Sequence, residues 1–136
     1  MGIEIEIRLP QEPTSVAKAR RTLEPLEPRL DPDTFETLRL LVSELVTNSV
    51  RHGRAENSVE IELAVRASRE KIRVEVADAG PGFEASPRAE LQDNGSGWGL
   101  HFVETLSDRW GTERDGRMRV WFELVDSGAF ALRRAT

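Results

Sequence analysis

Apolar and charged residues alternate in several short segments of the chain. In Ile3–Leu9 every second residue is apolar and those between are charged, which predicts a strand with one buried and one wet face. Residues 59–65 and 72–76 repeat this alternation on either side of a short turn, so we expect an antiparallel hairpin. Two further strands are predicted near the C-terminus, at Arg109–Arg114 and Arg117–Leu124.

Three other segments have apolar residues every three or four positions, the spacing of an amphipathic helix. They are Ser15–Leu26, Asp33–His52 and Trp98–Leu106. In the longest of them either Asp31 or Asp33 can cap the start, and Gly53 is suited to end it. Residues 79–97 lack periodicity and are rich in glycine and proline, which is typical of a functional or disordered loop.

The predicted order is strand, helix, helix, two strands, loop, helix and two strands. Strands with a single apolar face predict a mixed, mainly antiparallel sheet with three helices on one face, an α+β two-layer sandwich. A doubly wound sheet would need strands that are apolar on both faces, and the sequence offers none. We expect residues 1–125 to form one domain and residues 126–136 to be a loosely held C-terminal tail.

The composition fits one globular domain, and we expect a cytoplasmic protein. The 136 residues are 38% hydrophobic and 32% charged, and no apolar segment approaches the roughly 20 residues of a membrane span. The absence of cysteine excludes a disulfide framework and a thiolate metal site. A net charge of -5 argues against direct binding of nucleic acid or membrane, although Lys18, Arg20 and Arg21 form a local basic cluster.

The first candidate for chemistry is the helical sequence Glu44-Leu45-Val46-Thr47-Asn48. Glu44 and Asn48 are four residues apart, so they lie one helical turn from each other. An amide oxygen suits Mg²⁺, and a carboxylate one turn away can orient or deprotonate a nucleophile. Taken alone, the pair is better explained by an ordinary solvated helix face, because Glu and Asn four residues apart are common.

The second candidate is the sequence Asp78-Ala79-Gly80-Pro81-Gly82-Phe83 at the end of the third strand. Asp78 continues the row of apolar residues that faces the core, and a buried carboxylate needs hydrogen-bond donors such as the adenine amino group. Gly80 and Gly82 would let the backbone approach a flat base closely. The alternative is that Asp78 merely ends the strand and begins a Gly-Pro turn.

The third candidate is the sequence Gly95-Ser96-Gly97-Trp98-Gly99-Leu100 at the start of the last helix. Glycines that open a helix expose backbone N–H groups beside the positive end of its dipole, which favours an anion such as phosphate. A glycine-rich linker without function has the same composition. The three candidates gain weight together, because each supplies a different part of one nucleotide site.

Together they resemble the sequence boxes of the GHKL, or histidine-kinase-like, ATPase superfamily. Glu44–Gly53 is similar to its N box, Asp78–Phe83 to its G1 box and Gly95–Leu100 to its G2 box, in the expected order. The resemblance extends from about Ile3 to Leu124. Within the superfamily, the segments Ser15–Arg21 and Val120–Leu124 resemble those of the bacterial anti-sigma-factor serine/threonine kinases.

The resemblance implies the Bergerat ATP-binding fold and the binding of ATP with Mg²⁺. Asn48 would ligate Mg²⁺, Glu44 would be the catalytic general base and Asp78 would hydrogen-bond the adenine. Residues 84–96 would form a mobile lid over ATP. Further contacts with the nucleotide would come from Arg51, His52, Gly80, Gly82, Phe83, Gly95, Ser96, Gly97, Trp98, Gly99 and Leu100.

The resemblance further implies an anti-sigma factor that binds a sigma factor and phosphorylates a STAS-type anti-anti-sigma protein; family members commonly form homodimers. One alternative is a non-catalytic, ATP-gated protein-binding module. Another is an isolated histidine-kinase-type ATPase domain, which is disfavoured because the chain has no room for a dimerisation helix pair. The chain departs from the family at Met118 and Arg119, where relatives often carry a threonine near the nucleotide, and this bears on nucleotide affinity and kinase activity.

Overall fold

The computed structural model of the protein describes residues 2–52, 60–78, 98–114 and 118–125. The strands are β1 (Ile3–Leu9), β2 (Ile61–Ala67), β3 (Lys71–Asp78), β4 (Arg109–Arg114) and β5 (Met118–Val125). The α-helices are α1 (Thr14–Thr22), α2 (Pro32–His52) and α3 (Trp98–Leu106), and a 3-10 segment, Glu24–Arg29, connects α1 to α2.

The five strands form one sheet in the order β1-β2-β3-β5-β4. The two-layer α+β architecture predicted from the sequence is confirmed. The pairings between the described strands are all antiparallel, so the sheet contains none of the parallel pairing that a mixed sheet allows. The predicted hairpin of β2 and β3 is confirmed as well; its turn is closed by the amide of Ser68, which donates to the carbonyl of Lys71 at 2.9 Å.

The hydrophobic core lies between the helices and one face of the sheet. α2 packs across β2, β3 and β5, and α1 and α3 pack against α2. Val65, Val74 and Phe122 of the sheet are fully buried in one hydrophobic cluster with Leu38 and Leu41 of α2. Burial of each large apolar side chain contributes about 1.5–3 kcal/mol, so α2 is held firmly against the middle of the sheet.

The first helix ends earlier than its periodicity predicts. α1 stops at Thr22 rather than Leu26, and the chain tightens into the 3-10 segment, where the amide of Leu26 donates to the carbonyl of Leu23 at 2.9 Å. Pro25 has no N–H to donate, which removes a bond that a continuing α-helix would need. The predicted boundary is therefore corrected by four residues.

Asp31 caps the start of α2. Its side-chain oxygen Oδ2 accepts a hydrogen bond from the amide of Asp33 at 3.1 Å, and its carbonyl accepts from the amide of Phe35 at 2.9 Å. Pro32 occupies the first helical position, where a missing N–H costs nothing. Of the two predicted capping residues, Asp31 is the one that caps, and Asp33 supplies negative charge to the first turn.

The face of the sheet turned away from the helices, called the open face here, is neutralised by ion pairs. Its most buried member is Glu123, whose side chain is 6% exposed and lies 2.9 Å from Arg73, 3.3 Å from Lys71 and 3.7 Å from Arg109. Burial alone would raise the pKa of Glu123, but hydrogen bonds from Arg73 and Lys71 and the nearby positive charges outweigh it and lower the pKa.

Trp121 of β5 lies on the open face between two arginines. The guanidinium carbon of Arg73 is 4.2 Å from the centre of the Trp121 ring and that of Arg109 is 5.8 Å from it. The residue opposite on β4 is Gly111, and a Cβ atom there would lie 2.9 Å from the Trp121 ring. Glycine is therefore needed at this position for the ring to lie against β4.

Candidate active site

The end of the sheet at which β3 finishes, called the Asp78 end here, is fixed by the strand register. Leu9, the last residue of β1, pairs with Ile61, the first residue of β2. Asp78, the last residue of β3, pairs with Met118, the first residue of β5. Because β2 and β3 are antiparallel, these pairs lie at the same end of the sheet.

The C-terminal half of α2 lies at the Asp78 end. Gln11 follows β1 by two residues, and its side-chain Nε2 donates a hydrogen bond to the main-chain oxygen of Ser49 at 2.8 Å. This contact holds the last turns of α2 beside the end of β1. Asn48 is therefore at the same end of the domain as Asp78.

α3 runs antiparallel to α2, with its first turn beside the half of α2 that carries Glu44 and Asn48. Leu106, the last residue of α3, lines a shallow depression together with Thr34 and Thr37 from the first turns of α2. The two helices pack along each other. The nine residues of α3 span about 13 Å at 1.5 Å per residue, so its N-terminus points towards the Asp78 end.

Asn48 is buried and one of its polar atoms has no partner. The residue is 4% exposed, and among the described residues no hydrogen-bond partner reaches its amide nitrogen Nδ2. A buried polar group without a partner costs about 1–3 kcal/mol. The carboxamide offers one oxygen to a cation and one N–H₂ group to a phosphate oxygen, so the residue type fits a bound Mg²⁺–nucleotide.

Glu44 lies one turn before Asn48 and is partly buried. Burial raises the pKa of Glu44 above its ordinary value, because the carboxylate loses hydration where neighbouring side chains cover it. A carboxylate with a raised pKa accepts a proton more readily, which is the property that a general base requires. The burial of Asn48 argues against the alternative that α2 presents an ordinary solvated face at these positions.

Asp78 is 6% exposed and lies on the core face of the sheet, as its position in the alternating row predicts. Its role as the residue that hydrogen-bonds adenine remains a prediction. Met118, directly opposite on β5, is 4% exposed and shares the core face. Asp78 therefore has a buried apolar neighbour on β5.

Of the two residues that depart from the family, only Met118 can border the site. Arg119 points to the open face, where its guanidinium lies 3.7 Å from Glu75 and 3.6 Å from Glu113. Successive residues of a strand point to opposite faces, so Met118 is on the helix side. An effect of this departure on nucleotide affinity or kinase activity would therefore come from Met118 and not from Arg119.

The other predicted nucleotide-binding residues divide into two groups. Arg51 is exposed on the last turn of α2, His52 ends that helix, and Trp98 and Gly99 form the first turn of α3. Leu100 is fully buried, so its side chain belongs to the hydrophobic core. The remaining residues lie outside the part of the chain that the structure describes: Gly80, Gly82, Phe83, Gly95, Ser96 and Gly97, the lid at 84–96, and Gly53.

A protein-only metal centre is absent from the described residues, where no three His, Asp or Glu side chains come together. Mg²⁺ is commonly held by few protein ligands together with water and phosphate oxygens, and the Asn48 carboxamide oxygen is a donor type that suits it. Within the same part of the chain no helix is long and apolar enough to cross a membrane.

Gln11 is the residue of this region that the sequence does not reveal. It stands between Pro10 and Glu12 in a segment that reads only as a connection after a strand. Its contact with Ser49 joins positions 38 residues apart. Periodicity reports local structure alone, so it contains no signal for such a contact.

Comparison with known proteins supplies the family. A model described as a histidine kinase-like ATPase domain matches residues 9–124. The serine-protein kinase RsbW of Listeria innocua is 32% identical over 123 residues, covering 79% of this chain and 78% of the relative. The serine-protein kinase RsbW of Bacillus velezensis is 32% identical over 120 residues, covering 76% and 74%.

A solved structure with the same fold is the histidine kinase domain of the blue-light activated histidine kinase of Erythrobacter litoralis EL346. It superposes with a TM-score of 0.55 at 21% identity over 92% of this chain, which spans 65% of that structure. At this identity the likeness supports the fold alone. The fold, the order of the three sequence boxes and the matched family agree. The chain belongs to the histidine kinase-like ATPase domain family.

Proposed function

We propose that the protein is an ATP- and Mg²⁺-dependent serine/threonine protein kinase that also acts as an anti-sigma factor. The observation that carries the proposal is the buried carboxamide of Asn48, whose Nδ2 has no hydrogen-bond partner among the described residues, at the same end of the domain as the buried carboxylate of Asp78. Relatives that are 32% identical and named serine-protein kinases support the choice of a hydroxyl as the phosphate acceptor.

In this proposal each element of the Asp78 end has a separate task. The carboxylate of Asp78 accepts a hydrogen bond from the adenine amino group, and the oxygen of Asn48 ligates Mg²⁺. Arg51, His52 and the glycine-opened N-terminus of α3 contribute to holding the phosphates. When bound, Mg²⁺ neutralises charge on the phosphate oxygens and so makes transfer of the γ-phosphoryl group easier.

Glu44 acts as the general base of the reaction. Its carboxylate takes the proton of the acceptor hydroxyl while the hydroxyl oxygen forms a bond to the γ-phosphorus of ATP. The bond between that phosphorus and the β,γ-bridging oxygen breaks, and ADP leaves. The raised pKa of Glu44 favours the protonated carboxyl at the end of this step, because the partly buried site disfavours its charged form.

The partners in this proposal are a sigma factor and a STAS-type anti-anti-sigma protein that carries the acceptor residue. Both are cytoplasmic proteins, so we place this protein in the cytoplasm as well, with residues 1–125 as one domain and 126–136 as a tail. A homodimer is the oligomeric state that the resemblance favours. DNA has no part in the proposal, because the chain carries a net charge of -5.

The experiment that tests the kinase is transfer of labelled γ-phosphate from ATP to candidate STAS-type proteins of the same genome, with and without Mg²⁺. We expect one such protein to be labelled on serine or threonine, and substitution of its acceptor residue by alanine to abolish the label. If no candidate is labelled although the protein binds ATP, the result contradicts kinase activity towards STAS-type proteins. The proposal that the domain binds ATP would still stand.

A second function, a non-catalytic module gated by ATP, is favoured by Met118. Its apolar side chain is buried directly opposite Asp78, where relatives often offer a hydroxyl near the nucleotide. This module would bind a sigma factor more tightly with ATP than without it and would transfer no phosphate. Titration of the sigma factor at saturating and zero ATP separates the two functions.

A further inference from the structure

We propose that Gln11 is a positioning residue that fixes the last turn of α2, and with it the Asn48 carboxamide, for Mg²⁺ and nucleotide. This inference rests on the proposed function, because it assigns Gln11 to the same site. It begins from one contact: Nε2 of Gln11 donates to the main-chain oxygen of Ser49 at 2.8 Å.

The carbonyl of Ser49 lies in the last turn of α2, which ends at His52. Carbonyls run out of partners within the helix at its C-terminal end, and side-chain donors can supplement the helical hydrogen bonds there. Ser49 is 7% exposed, so water has little access to this residue, and the Gln11 side chain supplies a donor.

The backbone that carries Gln11 is itself well fixed. The amide of Glu12 donates to the carbonyl of Pro10 at 2.8 Å, and the hydroxyl of the buried Ser15 donates to the same carbonyl at 2.5 Å. Gln11 therefore projects from a turn with a defined shape between β1 and α1. A donor on a rigid support restrains its partner more than one on a free loop does.

The restrained residue is the immediate neighbour of Asn48. A rotation or fraying of the last turn of α2 would move Ser49 and Asn48 together. It would also displace the buried carboxamide of Asn48, whose Nδ2 has no partner among the described residues. A ligand atom must lie close to its ideal position for Mg²⁺, which accepts little departure from octahedral geometry. Gln11 touches neither nucleotide nor metal in this proposal; it acts through the helix.

The test uses the full-length protein and compares Gln11→Ala and Gln11→Glu with wild type. The first removes the side-chain amide, and the second keeps the shape but replaces the donor by a carboxylate. The matched control is Glu12→Gln, which changes the exposed neighbouring residue of the same turn. Thermal melting of each variant establishes that it is folded.

Two quantities are measured. One is the hydrogen exchange of the α2 amides of Arg51 and His52 in the protein without nucleotide. The other is the Mg²⁺ concentration that half-saturates binding at a fixed ATP concentration, together with the affinity for ATP in EDTA. For both Gln11 variants we expect faster exchange and a half-saturating Mg²⁺ concentration raised about 3- to 10-fold. This factor corresponds to the loss of one hydrogen bond. We expect the affinity for ATP in EDTA to fall by a smaller factor than the affinity in Mg²⁺, and Glu12→Gln to match wild type in every measurement.

Each other outcome is decisive. Faster exchange with an unchanged Mg²⁺ requirement, or an equal loss of affinity in EDTA, makes Gln11 a general structural residue and overturns the inference. Unchanged exchange shows that the contact does not hold the turn, and overturns it as well. Absence of ATP binding by the wild type at millimolar Mg²⁺ overturns the proposed function instead, and the role of Gln11 is lost with it.

Discussion

Replacement of Glu44 by glutamine is expected to make the protein more stable at neutral pH while removing its kinase activity. Burial raises the pKa of Glu44 in the folded state, so the folded protein disfavours the ionised carboxylate more than the unfolded chain does. Below the ordinary pKa of 4.5 the group is protonated in both states and costs nothing. The destabilisation develops as pH rises through the folded-state pKa and is complete above it.

Glu44→Gln has nearly the same shape and carries no charge, so the variant avoids this destabilisation. Its melting temperature should exceed that of the wild type at pH 7.5, and the two should converge near pH 4. The effect on catalysis is much larger. Loss of a general base lowers a rate roughly 10²- to 10⁴-fold, or about 2.7–5.5 kcal/mol in the barrier. Affinity for ATP should stay close to that of the wild type, because Glu44 ligates neither metal nor base.

The assay measures thermal unfolding by circular dichroism at pH 4 and pH 7.5, ATP affinity by calorimetry, and phosphotransfer to the antagonist protein. Glu36→Gln is the control: it makes the same change on the same helix at an exposed residue that pairs with Arg39 at 3.2 Å. The control should keep full activity. The reasoning is refuted if Glu44→Gln transfers phosphate within a few-fold of the wild type, or if it unfolds at a lower temperature at pH 7.5.

Three further outcomes are expected. Glu123→Gln should destabilise the fold by about 1.5–3 kcal/mol at pH 7 in urea unfolding, the worth of hydrogen bonds to a charged group; the folded state lowers the pKa of Glu123, so the loss should shrink as pH falls below about 4.5. Gly111→Ala should cost about 1–3 kcal/mol in the same assay and shift the fluorescence of Trp121, since a Cβ atom would lie 2.9 Å from its ring. The amides of residues 84–96 should gain protection from hydrogen exchange when ATP and Mg²⁺ are added; equal exchange in both states would exclude a lid.

The sequence predicts the architecture well because its information is local and periodic. Side chains of a strand point alternately to two faces, so the apolar row of β3 is enough to place Asp78 on the buried side. The spacing of apolar residues gives α3 its observed bounds, Trp98–Leu106. Where prolines are dense, periodicity is a poorer guide, and the 3-10 segment Glu24–Arg29 replaces the predicted end of α1.

What the sequence does not predict depends on contacts between distant segments. Alternation alone assigns Glu123 to the wet face of β5. Its burial follows from the register, which brings Arg73 and Arg109 to either side of it across two strand pairings. The contact of Gln11 with Ser49 is of the same kind. In the site itself, the sequence predicts that Glu44 and Asn48 lie one turn apart on the same helix. The burial of Asn48 depends instead on how α2 packs.

The most direct test of the ATP site is a calorimetric titration of the wild type and Asp78→Asn with ATP in the presence of Mg²⁺. Asp33→Asn is the control, because it makes the same change at an exposed position in the first turn of α2. We predict saturable binding that Mg²⁺ strengthens, weakened by about 1–3 kcal/mol, or roughly 5- to 150-fold, in Asp78→Asn and unchanged in Asp33→Asn. No heat of binding at millimolar ATP, or equal affinity for all three proteins, would contradict a nucleotide site at the Asp78 end.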